Sequence, residues 1–383
     1  MENQASRGAP ESNIEELYDA IAKAARAEGT LRYYDGGLGG PKLSSGRAVF
    51  DFFRKKTGVE VEWFTAGPEA MITRIWNEAY SGDLKFDVLH GYDLAWLWLD
   101  LKDQRRLMKY VPPEAAALCK GTSDPDGYFH HFSGALCVSM YNPDKLTPGE
   151  LPRSYKDFVE PRWKDRICTP DWIYSRNPLM VPLVTWLYAL HGPEYLTALA
   201  GQNLRYTPEP NTGINLLKKG EADLMMGAGA PRYVEARKNG EPIAYFTLEE
   251  GVFHRLTYVG INAQTKKPNL SKLFVRFLLS REVQKIRVEA DFESSRTDVA
   301  APNWYPPIAK LEQDGKLFSD SMPYWVDIQK RYRHIALDTY INALDKFGKV
   351  TGESTHPFQN LVERVPGKIR GDGYNTEYGK PQS

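Results

Sequence analysis

The chain is poor in cysteine. Its 383 residues include three, Cys119, Cys137 and Cys168, with no CxxC pair and no Cys/His spacing of the zinc-binding kind, which speaks against a structural metal. An odd number permits at most one intrachain disulfide; a Cys119–Cys137 bond stays open, and three free thiols are the expectation. The chain also lacks surplus charge. Lys plus Arg number 49 and Asp plus Glu number 49, so no global field favours nucleic acid or a membrane surface, and any ligand charge must be met by local groups. No apolar run reaches the eighteen residues of a membrane span. The start, MENQASRGAPESN, has no basic segment followed by an apolar one, so no export signal is visible. A Met followed by polar residues is also the form expected of a mature exported protein whose signal peptide has been removed. Catalytic signatures are missing too. There is no HExxH and no GxSxG, and the glycine loops carry no Lys-Ser/Thr pair, so a binding protein without chemistry or cofactor is expected over a hydrolytic or transfer enzyme.

What is present is a repeated theme of strand, glycine loop and helix. In Gly220 to Gly240, GEADLMMGAGAPRYVEARKNG, a polar turn leads into the apolar Leu224-Met225-Met226. Gly227-Ala228-Gly229-Ala230-Pro231 then gives the backbone room to turn into an amphipathic helix, with Pro231 suited to a first helical position. A helix N-terminus with no side chain over it attracts negative charge through its dipole and unsatisfied N–H groups. The same theme opens the chain. After a flexible lead, 1–13, and a helix from Ile14 to Glu28, three strands, Thr30–Tyr34, Val59–Phe64 and Phe86–Leu89, each run into a loop and a helix. Such alternation predicts a doubly wound α/β fold with a parallel sheet and ligands at the carboxyl ends of the strands. Those ends carry Asp35, Gly36 and Gly37, then Thr65, Ala66 and Gly67, then His90 and Tyr92. Further on, strands are expected at Gly134–Tyr141 and Leu256–Asn262, a buried apolar helix at Leu179–Leu190, and an amphipathic helix at Asp327–Phe347 in the tail. Aromatics make up 12% of the chain, with 22 Tyr and 9 Trp, which suits clefts lined by ring faces with polar tips.

An ordered series of segments, GTLRYYDGG, FFRKKTGVEVEWFTAG, FDVLHGYDLAWL, VSMYNPDKLTPGELPRSYKDFVEPRWKDRICTPD, LLKKGEADLMMG, EGVFHRLTYVGIN and LFVRFLLSREVQKI, resembles the extracellular solute-binding proteins of ABC importers. These are type II periplasmic binding proteins, a group that includes ferric-ion binders, and the likeness covers about residues 14 to 298. It implies two α/β lobes, 14–135 plus 256–300 and 136–255, with 301–383 as a C-terminal helical extension packing on them. Crossover strands would form a hinge near Gly134–Ser139 and Phe253–Gly260, closing over a solute that is handed to a membrane permease. A periplasmic monomer that takes a small-molecule solute, with no nucleic-acid partner, follows from the same likeness.

The likeness also shows a departure. Counted from the shared Gly-Glu turn, Ala230 and Pro231 stand where the ferric-ion binders carry two adjacent metal-ligating tyrosines, and neither offers the anionic oxygen a ferric ion needs. What remains is a cleft of helix N-termini at the Gly37, Gly67, Gly229 and Ala230 loops, with Ser175 and Arg176 at another helix start and Arg232 one turn into its helix. This suits an organic anion: a carboxylate, phosphate or phosphonate. Tyr34, Tyr92, Trp172, Tyr174 and Phe253 offer ring faces, and His254 is either a contact or a hinge residue. The alternatives are a cationic solute of polyamine or thiamine type, caged by Asp35, Asp93 and ring faces, and chelated ferric iron.

Overall fold

The structure is a computed structural model that describes residues 14–36, 44–66, 68–91, 95–170, 180–207, 210–319 and 323–347. The chain begins with α1 (Ile14–Glu28), β1 (Leu31–Asp35), α2 (Ser44–Thr57), β2 (Val61–Thr65), α3 (Pro68–Ser81), β3 (Val88–Gly91) and α4 (Ala95–Asp103). The long strand β4 (Phe129–Tyr141) follows, then β5 (Ile167–Pro170), α5 (Met180–Gly201), β6 (Arg205–Thr207), α6 (Pro210–Lys219), β7 (Leu224–Gly229), α7 (Ala230–Lys238) and β8 (Ala244–Phe246). The second long strand, β9 (Val252–Ile261), precedes α8 (Pro268–Leu278), α9 (Arg281–Glu289), α10 (Ile308–Gln313), β10 (Leu317–Ser319) and α11 (Pro323–Lys346). The early pattern was legible: apolar residues at helical spacing bury Leu17, Tyr18 and Ile21 of α1, and β1 hides Leu31, Tyr33 and Tyr34.

All ten strands join one mixed sheet in the order β2-β1-β3-β9-β4-β7-β5-β6, with β10 beside β9 and β8 beside β4. The pairs β1–β2 and β1–β3 are parallel, as are β5–β6 and β5–β7. Between these two parallel blocks, β9 and β4 run antiparallel to each other and to their outer neighbours β3 and β7. Helices cover both faces of each block. In the first lobe, Phe53, Phe274 and Phe277 belong to one layer and Ile75, Trp76 and Trp98 to the other. In the second, Trp186, Leu196 and Tyr340 lie on one face, where α11 packs along α5, and Met225, Val234 and Leu311 on the other.

The register places the hinge. β3 pairs with β9 over Tyr258–Ile261, and β7 pairs with β4 over Cys137–Tyr141. Between those levels, residues 133–136 of β4 meet residues 254–257 of β9, so the lobes are joined there by a two-stranded ribbon. The carboxyl ends of β3 and β7 approach it from opposite sides. Gly91 registers with Tyr258, and Gly229 with Cys137, whose partner on β9 is Phe253. Five residue steps at about 3.3 Å each leave roughly 16 Å between them, the room of a cleft.

Four elements differ from the sequence expectation. β4 begins at Phe129, not Gly134, because Phe129 to Tyr141 is buried on both faces and shows no alternation. β9 likewise begins earlier than expected, at Val252 and not Leu256. The glycine loop at 227–231 is not a loop. β7 continues to Gly229 with Gly227 at a φ of 73°, and α7 starts at Ala230. The helix expected to end at Leu190 continues to Gly201 as α5, through a kink where Gly192 adopts a φ of 79° before Pro193.

Candidate functional site

The cleft is framed by the carboxyl ends of β1, β2 and β3 on one lobe and of β5, β6 and β7 on the other, with the ribbon as its floor. Of the expected contacts, Gly37, Gly67, Tyr92, Trp172, Tyr174, Ser175 and Arg176 lie outside the described residues, as does Asp93. The others fall into two groups.

The first group is turned inward. Asp35 and His90 are both fully buried. His90 Nδ1 lies 3.1 Å from Asp35 Oδ1, and Trp63 Nε1 donates to Asp35 Oδ2 at 3.2 Å. On the far side of the ring, His90 Nε2 is 3.0 Å from Thr257 Oγ1, which is itself 3.1 Å from the Ser133 carbonyl. Burial lowers the His90 pKa more than the Asp35 contact raises it, so the ring is neutral. A carboxylate only accepts, which puts a proton on Nδ1, while the Thr257 hydroxyl has a single hydrogen and donates it to the Ser133 carbonyl beside Nε2. Asp35 and His90, both expected at the solute, are buried here, and their polar atoms hold β1, β3 and β9 together. Gly36 stays at this strand end, buried, its N–H donating to the His90 carbonyl at 2.7 Å.

Tyr34, also expected at the solute, is buried likewise. Its ring packs 5.0 Å from Phe64 and 5.5 Å from Phe86, and its hydroxyl donates to Glu78 at 2.6 Å and accepts from Arg74 at 2.8 Å. No ring face is left for a ligand. Phe253 is fully buried in the second lobe's core. His254, also buried, pairs through Nε2 with Glu293. Arg232 bends along its own helix to Glu235 at 2.7 Å and lines a groove between α6 and α7 with Asn211, Asn215 and Asn239. That pairing occupies the charge assigned to an anion.

The second group remains at the cleft. Thr65 is exposed and Ala66 and Gly229 are half-buried. Gly229 forms the N-cap of α7 in extended geometry with no side chain capping the helix, and the buried Ala230 opens its first turn. The first turn thus depends on backbone donors alone.

Sequence reasoning missed the polar filling of the ribbon: Ser133, Thr257, Arg287, Glu293 and Tyr305. Arg287 is 1% exposed, lies over the Phe132 and Phe292 rings at 4.9 and 4.8 Å and donates to Ser133. Burial lowers its pKa to about 10, which still leaves it charged at neutral pH. The available signal was Gly134 inside an apolar run, since glycine in a strand marks close approach of another group. No disulfide joins the three cysteines. Among the described residues no group of three His, Cys, Asp or Glu is gathered as a metal site, and no helix is long and apolar enough to cross a membrane.

Comparison with known proteins agrees with this architecture. The thiamine-binding periplasmic protein of Salmonella typhimurium is 27% identical over 188 residues, covering 48% of this chain and 56% of that protein, so the match spans just over half of the relative's length. The major ferric iron-binding protein of Neisseria meningitidis is 23% identical over 308 residues, 77% of this chain and 90% of that protein. Among solved structures, iron-bound HitA from Pseudomonas aeruginosa superimposes with a TM-score of 0.67 at 21% identity, over 82% of this chain and 99% of that one. The fold is that of the type II periplasmic binding proteins. A family model described as bacterial extracellular solute-binding protein matches residues 100–313, more than half of the chain. The chain belongs to the bacterial extracellular solute-binding proteins.

Proposed function

We propose that this protein is the solute receptor of an ABC importer that captures a small organic anion between its lobes and delivers it, as a periplasmic monomer, to the permease. The proposed lobes are 14–135 plus 256–300 and 136–255, with α11 of the extension packed along α5 and residues 348–383 outside the described residues. The carrying observation is the start of α7. Gly229 caps it with no side chain over the backbone donors at the end of β7, and a helix start of this kind favours a carboxylate or phosphate. Asp35 supports the same reading from the opposite lobe. A cation cage would need its charge, and that charge is buried against His90 and Trp63. Ala230 and Pro231 offer no oxygen for a bare ferric ion. Ser175 and Arg176 are the proposed side-chain partners of the anion, with Gly37, Gly67 and Tyr92 on the facing lobe.

A cationic solute of the thiamine type is the second reading, favoured by the thiamine-binding relative. One titration series separates the two. Protein refolded from denaturant to strip any co-purified solute is titrated calorimetrically with a sugar phosphate, an aryl phosphonate, citrate, thiamine, spermidine and ferric citrate. The expected result is micromolar or tighter binding of a phosphorylated or carboxylated compound, with no heat from thiamine or spermidine. Tight binding of thiamine or ferric citrate, with none of the iron-free anions, would sink the anion reading.

A further inference from the structure

Among the described residues, three passes of chain cross between the lobes: β4, β9, and the segment that leaves α9 in the first lobe and reaches α10 in the second. One carboxylate ties all three. Glu293, 1% exposed, lies on the third pass. Its Oε1 pairs with Nε2 of His254 on β9. Its Oε2 accepts the Tyr305 hydroxyl at 3.0 Å, further along the third pass. That hydroxyl oxygen accepts in turn the backbone N–H of Leu136, on β4, at 3.2 Å. Leu136 and His254 are direct partners in the ladder, so the group clamps the ribbon at one level.

The fit is close. A Cβ at Gly134 would overlap Glu293 Oε1 and come within 2.8 Å of both the Arg255 carbonyl and His254 Nε2. The carboxylate is thus seated against the backbone of β4 at a point where only glycine leaves room. Two strands alone resist bending poorly, since an isolated two-stranded ribbon is at best marginally stable. Side chains that join the ribbon to the third pass add resistance to a change of interlobe angle, beside the contact of α11 with α4. The hydrogen-bond inventory makes Glu293 the centre. Leu136 N–H uses the Tyr305 oxygen as acceptor, which leaves the Tyr305 hydrogen for Glu293, and an ionised carboxylate can accept from Tyr305 and His254 together.

We propose that Glu293 is the positioning residue that sets the resting angle between the lobes, with Tyr305 as its link to β4. The assignment holds whichever solute the cleft takes.

The test is a distance measurement on the full chain stripped of solute. Spin labels are attached through K55C on α2 and K219C on α6, both exposed positions, in a C119S background, and the interlobe distance distribution is read by double electron–electron resonance. The wild-type background should give one narrow distribution. E293Q should broaden it or shift its maximum, and Y305F should do so in the same direction to a smaller degree, because the Glu293–His254 pair remains. A folded E293Q or Y305F whose distribution matches wild type, even with a lowered melting temperature, would mean that the knot is only structural and would overturn the assignment. Should E293Q fail to fold, Y305F decides on its own.

Discussion

Each lobe of the sheet lies between two apolar layers, whereas the ribbon joining them is packed with His90, His131, His254, Thr257, Ser133, Arg287 and Glu293, all buried. The difference follows from what each region must do. A lobe moves as one body, so non-directional packing of Trp98, Trp186 or Phe274 suffices. The ribbon must hold a few chain passes at a defined angle with little surface to bury, and directional bonds can do that where area cannot. Such bonds also make the ribbon dependent on protonation, a sensitivity the aromatic layers lack.

The sharpest way to test this contrast is to open a hole in a lobe. Trp186 is fully buried, edge-on to Tyr155 at 5.6 Å and 4.9 Å from Phe318. Trp186→Ala is expected to cost about 3–5 kcal/mol, read as a lower denaturation midpoint in guanidinium. Because packing and not charge is lost, the cost should be the same at pH 7.5 and pH 5. A cost that changes strongly with pH would show that the lobe is not independent of ionisation.

The ribbon should respond the other way. His131 sits at 0% exposure with Nδ1 3.0 Å from Thr122 Oγ1. Burial, aided by the neighbouring His254 and Arg287, lowers its pKa to about 3. A histidine whose folded pKa lies below its unfolded value near 6.5 contributes its full share above pH 6.5. As pH falls, the unfolded chain takes up a proton that the folded one refuses until about pH 3, so stability declines across that window. The slope is about 1.4 kcal/mol per pH unit, or about 2 kcal/mol lost by pH 5. His90 and His130, also lowered by burial, act with the same sign. H131Q should remove one proton's share of this slope, measured as unfolding free energy at pH 7.5, 6 and 5. An unchanged slope would place the titrating groups elsewhere.

The same contrast explains what could be read from the sequence. Strands β1 to β3 and their helices announce themselves, because residues such as Val49 and Phe53 recur on one apolar face. The start of β4 did not, since His130, His131 and Ser133 look like surface residues when their partners are unknown. The cleft-end positions Asp35 and His90 were found from their place after a strand. Their burial was not legible, because what covers them is remote: Trp63 lies 28 residues from Asp35, and Thr257 lies 167 from His90. Arg232 misled for a local reason, as Glu235 follows one helical turn later and i,i+3 neighbours face each other.

The smallest expected effect bears on the cleft. Arg232 and Glu235 are 41% and 45% exposed, and a pair this open contributes at most about 0–1 kcal/mol to stability. Since its charge already has a partner, Arg232→Ala should leave unfolding almost unchanged and weaken capture of the best anion from the titration series by less than about threefold, well under 1 kcal/mol. Arg176→Ala, at the helix start proposed to meet the anion, should weaken the same binding by tenfold or more, about 1.4 kcal/mol or above. Both variants are read by calorimetry against the same compound. The reverse ranking would show that Arg232 leaves Glu235 for the solute when the lobes close, and would move the anion site from the Ser175–Arg176 helix start to the first turn of α7.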